Sequence, residues 1–344
     1  MRGGIEGKSK MEEKNNLGTI MEKKDGWVTY RPEIKVLDCT IRDGGLMNNH
    51  NYEDSVVKSV YQTCVEAGID YMEIGYKSSK KIYSPTQFGP WKFCDEDAIR
   101  RIIGENETPL KISVMADAER TDYHTDILPK ENSVIDTVRI ATYIHQIPEA
   151  LDMIKDSHEK GYETTVNLMA ISTVKDRDLD DALSVLSASD VDVIYLVDSF
   201  GALYSEQIRD LTTKYLKYAR PAGKEVGIHC HNNQQLAYAN TIEALITGAT
   251  RLDASIAGLG RGAGNCQIEL LLGFLHNPKF NLRPVIQCIQ ETIEPLRERL
   301  RWGFDIPYML TGRLNQHPRE AMKFMEGEDR KNLLKFYDFI MEEE

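Results

Sequence analysis

The 344-residue chain lacks a basic surplus, a long apolar run and paired cysteines, and each absence removes a class of protein. A formal charge of −12 leaves no cationic face to neutralise phosphates, so nucleic acid is not an expected partner. No stretch approaches the roughly 18 apolar residues that cross a bilayer, so no membrane association is expected. The six cysteines (Cys39, Cys64, Cys94, Cys230, Cys266 and Cys288) form no CxxC pair and no dense cluster, which reads as reduced thiols in a cytoplasmic chain. Residues 1–30 are charged, contain no apolar signal segment and read as a flexible tail. Phosphate loops are missing too. The first strand candidate runs into RDGG, and Gly258–Asn265 (GLGRGAGN) fits neither a Walker A loop nor a GxGxxG turn.

What the chain does contain, from Ile34 onward, is a regular alternation of short β-rich runs and longer helical ones. The strand candidates are 35–40, 71–76, 111–116, 135–141, 163–170, 191–198, 225–231 and 251–257, separated by helical stretches from Asp54–Ala67 to Asn265–Leu275. Eight βα units predict an α/β protein with a (β/α)₈ TIM barrel over 31–280. The rival, a doubly wound open sheet, has fewer strands and often a glycine fingerprint after the first. Beyond Pro278 only helical patterns remain, so 281–344 reads as a C-terminal helical appendage.

Chemistry on such a barrel gathers at the C-terminal ends of its strands. Those ends carry Arg42 and Asp43, Glu73, Asp117, Arg139 and Thr142, Asn167, Asp198 and Ser199, His229 and His231, and then Asn265 in the loop after the eighth. Side chains two residues apart on a strand leave from one face, so His229 and His231 can reach one ion. With Asp43 they make a two-imidazole, one-carboxylate set if the first and seventh strands end near each other. The bland alternatives are a polar strand end for HxH and a helix cap for Asp43. Glu73, a carboxylate inside YMEIGY, needs a cation; Arg42 is its expected partner, and with Arg42 it is expected among the catalytic groups. Gly258–Asn265 is either a flexible turn or a backbone that approaches the ion and offers the Asn265 amide oxygen as a further ligand. Nitrogen and oxygen donors with open positions suit Mn²⁺ first, with Mg²⁺, Co²⁺, Zn²⁺ and Fe²⁺ as alternatives. An ion so placed polarises the carbonyl of a 2-oxo acid, which is what breaking an adjacent carbon–carbon bond requires.

DCTIRDGG, DSFGA, IHCHNN and ATRLDASIAGLGRGAGN, in that order between Ile34 and Leu275, resemble the metal-dependent lyase superfamily of hydroxymethylglutaryl-CoA lyase, isopropylmalate synthase and 4-hydroxy-2-oxovalerate aldolase, most closely the aldolase. The resemblance implies Asp43, His229, His231 and Asn265 as ligands and Arg42 as the residue that stabilises an enolate. It implies Ser199 as a binder of the pyruvate carboxylate; Arg42 and the strand-end Arg139 are expected to bind substrate as well. The tail resembles that aldolase's, which contacts a partner aldehyde dehydrogenase and contributes a tyrosine, here Tyr308. A homo-oligomer is a further expectation. The aldolase's base, a histidine three residues past the metal aspartate, is replaced by Leu46, which leaves His50, Tyr308 or metal-bound water.

The function expected is therefore divalent-metal-dependent aldol cleavage or condensation of a 2-oxo acid with an aldehyde. The alternatives are a Claisen-type acyl-CoA synthase of the isopropylmalate or citramalate kind, an iron oxygenase, and a non-catalytic descendant. The cysteine that hydroxymethylglutaryl-CoA lyase carries in its glycine loop is absent; Arg261, Gly262 and Ala263 stand there.

Overall fold

In the computed structural model, which describes residues 31–342, eight parallel strands close into a barrel in sequence order. They are β1 (Lys35–Asp38), β2 (Tyr71–Tyr76), β3 (Lys111–Asp117), β4 (Thr137–Thr142), β5 (Glu163–Leu168), β6 (Val193–Asp198), β7 (Glu225–Cys230) and β8 (Arg251–Ala254). All eight expected strands form, and β8 pairs with both β7 and β1, so the two stretches that carry the ligand candidates flank one strand. The flexible tail expected for 1–30 lies outside the described residues.

Two sets of residues alternate along the strands. Val138 and Ile140, Val166 and Leu168, Ile194 and Leu196, and Val226 and Ile228 face the helices and join the main apolar core. Their neighbours Arg139, Asn167, Tyr195 and His229 turn inward. Strands covered on both faces read as unbroken buried runs, which is why TVRIAT and VIYLVD are buried throughout. A register shift between Glu73 and Gly75 in the β2–β3 pairing adds one residue to β2. That bulge brings Tyr76 to the inner side with Met115 and Ala141.

The barrel lumen is charged. At its lower end Arg251 holds Glu163 at 2.7 Å and Glu225 beside it. One layer up, Arg139 forms a two-pronged pair with Asp253 (3.1 and 2.5 Å) and lies 4.4 Å over the Tyr195 ring. Buried ions of this kind persist only when paired and hydrogen-bonded.

The C-terminal helices do not stand apart. Leu282–Cys288 packs beside Asp54–Ala67, whose Ser59 hydroxyl lies 2.7 Å from that of Thr292. Ile306–Arg313 and Arg319–Glu326 lie against the barrel mouth, where the amides of Asn233 and Gln234 donate to the carbonyls of Tyr308 and Met309, each at 3.1 Å. Tyr308, Leu310, Ala321, Phe336 and Ile340 close a small second core over Ala263. Among the described residues no helix is long and apolar enough to cross a membrane, and all six cysteines are free and buried.

Candidate metal centre

β1 stops at Asp38, whose carboxylate accepts from the Thr40 amide at 3.1 Å and so turns the chain into the short helix Thr40–Gly44. Arg42 and Asp43 are therefore carried on a helical turn above the strand end. β7 delivers His229 from its last residues, and His231 follows in an isolated bridge to Asn265. One ligand atom from each of Asp43, His229 and His231 lies within 4.8 Å of the others, and all three residues are buried.

The donor set fits a cation. His229 Nδ1 is 3.0 Å from Asp253 Oδ2, a contact that places the ring proton on that side and leaves Nε2 a lone pair; Nε2 is buried with no protein partner. His231 Nδ1 lies 3.3 Å from the Gly264 carbonyl. Burial, with Arg261 nearby, holds its pKa well below the ordinary imidazole range, so the ring is neutral, the form that ligates. Burial opposes charge on Asp43, but the groups around it, His231 first and then Arg42, His229 and Arg261, together outweigh burial and keep the carboxyl ionised. Asn265 turns its Nδ2 to Asp43 Oδ2 at 2.7 Å, and its Oδ1 is a second buried acceptor with no protein partner. Unpaired buried acceptors beside an anion are costly unless a cation joins them.

Behind the ligands runs a continuous chain of alternating charge. Asp43 Oδ1 meets Arg42 Nη1 at 2.8 Å, and Arg42 Nε meets Glu73 Oε2 at 2.6 Å. Glu73 Oε1 is 3.4 Å from Arg139 Nε, and Arg139 grips Asp253, which holds His229. The chain leaves one ligand and returns to another. The expected Arg42–Glu73 pair forms, and Arg42 Nη2 is left buried without a protein partner.

These residues floor a cavity of about 70 Å³ walled by Arg42, Asp43, Tyr76, Ser199, Arg261 and the two histidines, with Asn167 and Leu46 beside them. Four expectations change. Arg139, expected to bind substrate, is fully buried beneath the cavity and committed to Asp253, because the lumen acid takes the guanidinium first. Glu73, expected among the catalytic groups, stands behind Arg42 and does not itself line the cavity. His50 has φ of 60°, which turns its ring under Gly45 and edge-on to Tyr76; it lies outside the cavity, and burial pushes its pKa down to about 3. Tyr308 packs its ring against Gly262 in the second core, a layer short of the cavity.

Ser199 does line the cavity, and its hydroxyl accepts from the Ala170 amide at 2.8 Å. The glycine loop approaches the centre as backbone: the Arg261 amide donates to Asp43 Oδ2 at 3.3 Å. Leu46 makes the wall apolar where the resemblance places a base. Sequence reasoning missed Asp253, Arg261 and Tyr76 as parts of the site. Asp253 carried the signal that exposed Glu73, an acid in an apolar strand; Arg261 is a lone cation in a glycine loop, and Tyr76 depends on a bulge with no local sign.

Residues 33–292 match the family model described as HMGL-like. An oxaloacetate decarboxylase of Mycobacterium tuberculosis is 32% identical over 72% of this chain and 71% of that protein. A 4-hydroxy-2-oxovalerate aldolase of Geobacillus thermodenitrificans is 30% identical over 74% of this chain and 71% of its own. The crystal structure of the N-terminal domain of a presumed aldolase from Bacteroides vulgatus superimposes with a TM-score of 0.72 at 29% identity, over 85% of this chain and 96% of that one. On the match across its whole barrel, the chain belongs to the HMGL-like family.

Proposed function

We propose that the protein is a divalent-metal-dependent aldolase that makes or breaks the bond between C3 of a pyruvate unit and an aldehyde carbon. The observation that carries this reading is the convergence of Asp43, His229 and His231 on one point beside a buried guanidinium nitrogen, Arg42 Nη2, that has no other partner. Asp43, His229 and His231 would hold the ion, with Asn265 Oδ1 as the further oxygen donor; Mn²⁺ suits this nitrogen–oxygen set, as do Mg²⁺, Co²⁺ and Zn²⁺. When bound, the ion supplies Lewis-acid polarisation of a 2-oxo acid's carbonyl.

The chain's own groups do the rest. Arg42, fixed by Glu73 and Asp43, offers Nη2 to the oxygen on which negative charge grows, and a preorganised donor of this type is worth about 10²–10³ in rate. Ser199 and Asn167 stand where the substrate carboxylate would lie, with the Ser199 hydroxyl proton and the Asn167 Nδ2 amide as the donors. Leu46, Met115 and Val197 keep that end dry. Tyr76 and Ser199 bring the hydroxyls to this wall, and burial raises the Tyr76 pKa far above the ordinary phenol value, so its phenol stands protonated. That suits it to protonate the alkoxide formed at the aldehyde carbon in condensation and, by microscopic reversibility, to take the same proton back from that hydroxyl in cleavage. Aldol cleavage and the decarboxylation named for the mycobacterial relative both leave charge at C3, so one set of groups serves either. A dehydrogenase partner fits the outward side of Leu333–Glu342, where Leu334 is 75% exposed and Tyr337 and Phe339 are also uncovered.

The test is deuterium exchange at C3 of pyruvate in D₂O with Mn²⁺, together with pyruvate release from 4-hydroxy-2-oxo acids. Both should be present, and both should vanish with EDTA. Release of thiol from acetyl-CoA with a 2-oxo acid, and no aldol cleavage, would instead identify the Claisen-type synthase.

A further inference from the structure

The small cavity opens outward into a vestibule of about 480 Å³, and the two share Leu46, Tyr76, Met169 and Arg261 as a common wall. Past that neck the wall is built from two sources. Asp117 and Arg120 come from the end of β3 and the turn after it, while Arg319, Lys323 and Glu326 come from a C-terminal helix and His317 from the loop that leads into it. Among the described residues neither Arg120 nor Arg319 forms an ion pair. Arg120 has one side-chain contact, the Tyr83 hydroxyl at 3.4 Å, and Lys323 has a long, solvent-exposed pairing with Glu320 at 3.4 Å. Arg261 spends its guanidinium on the Ser199 carbonyl and on His317 Nε2 at 3.1 Å, which ties the neck to the helical cover. Four permanent cations against two carboxylates in one concave wall is a local reversal in a chain of net charge −12.

Resting on the aldolase reading above, we infer that the aldehyde partner carries an anionic group, a carboxylate or a phosphate, at the end remote from its carbonyl. The inner cavity has room for little beyond the 2-oxo acid, so the aldehyde approaches through the neck and its far end lies in the vestibule. A guanidinium without a carboxylate partner presents its planar fork to a ligand, and carboxylate and phosphate are the groups that match it. The vestibule is the size of a pocket for a small molecule of several carbons. The low-dielectric protein around a concave wall focuses the field of those cations onto the entry path.

Two matched pairs of aldehydes test this in the condensation direction with pyruvate and Mn²⁺. Succinic semialdehyde is set against its neutral methyl ester, and glyceraldehyde 3-phosphate against glyceraldehyde. The expected result is a kcat/KM roughly tenfold or more higher for the charged member of at least one pair, the usual worth of a charge-assisted hydrogen bond. Which pair shows it separates carboxylate from phosphate. In Arg120→Gln/Arg319→Gln the charged-to-neutral ratio should fall toward one, Arg120→Lys/Arg319→Lys should restore part of it, and added salt should erode it in the wild type. Equal kcat/KM within both pairs, with deuterium exchange at C3 of pyruvate intact, overturns the anionic-acceptor inference alone. Absence of that exchange overturns the aldolase reading and this inference with it.

Discussion

Asp253 does not line the cavity, yet it decides which nitrogen of His229 is free. His229→Ala removes a ligand from a strand end and should leave a folded barrel that no longer retains Mn²⁺. Asp253→Asn keeps the ligand and loosens its orientation, so Mn²⁺ affinity should fall about 10–100-fold. Competition with a chelator, read beside circular dichroism, measures both; undiminished affinity in Asp253→Asn would show that the ring needs no such support. The variant should also be less stable, since it strips Arg139 of its main charge partner in a dry lumen. At this scale the sequence is legible wherever a residue's own chemistry demands a partner. Glu73 in YMEIGY called for a cation, and Arg42 supplies it at 2.6 Å. Arg139 and Asp253 make the same demand, but their strands are distant in sequence and meet only across the closed lumen.

At the scale of elements, the glycine loop 258–265 shows why small residues stand there. A Cβ built on Gly260 would lie 2.5 Å from Asp43 Oδ2 and closer still to the Asn265 amide. Gly260→Ala should therefore displace the metal aspartate or the asparagine, and the expected outcome is an intact fold with Mn²⁺ affinity and turnover reduced together by tenfold or more. A variant that binds Mn²⁺ as the wild type does would place the loop farther from the ion. The turn from β1 into its helix carries a pH signature. Burial raises the Asp38 carboxyl from 3.8 to about 7, against the hydrogen bonds from Thr40. The unfolded chain loses this proton near pH 4 and the folded one only near 7, so the group costs increasing stability as pH rises through that window, and the cost levels off above it. Asp38→Asn should melt higher relative to wild type at pH 7.5 than at pH 4.5; a difference independent of pH would mean that Asp38 folds ionised. The eight strands were legible because apolar runs bounded by helical periods have few other readings. The fate of His50 was not, since a backbone turn of positive φ has no side-chain pattern to announce it.

For the molecule as a whole, the helical appendage was legible as helices but not as a lid. Its amphipathic pattern shows one buried face without saying what lies beneath, and the structure sets that face over the mouth of the barrel. The charge chain has a consequence for how ion and substrate bind. Asp43, Glu73 and Asp253 carry three negative charges, Arg42 and Arg139 two positive ones, and Arg261 on the wall balances this set of protein groups. A bound dication would then create an excess of two positive charges among buried groups. Pyruvate brings one compensating charge with its carboxylate and a second when C3 gives up its proton. Each guest therefore improves the lodging of the other, and the effect must be equal in both directions. Chelator titrations should show Mn²⁺ held several-fold more tightly with pyruvate or its mimic oxalate than without, and retention indifferent to either anion would mean the balance is struck by groups elsewhere.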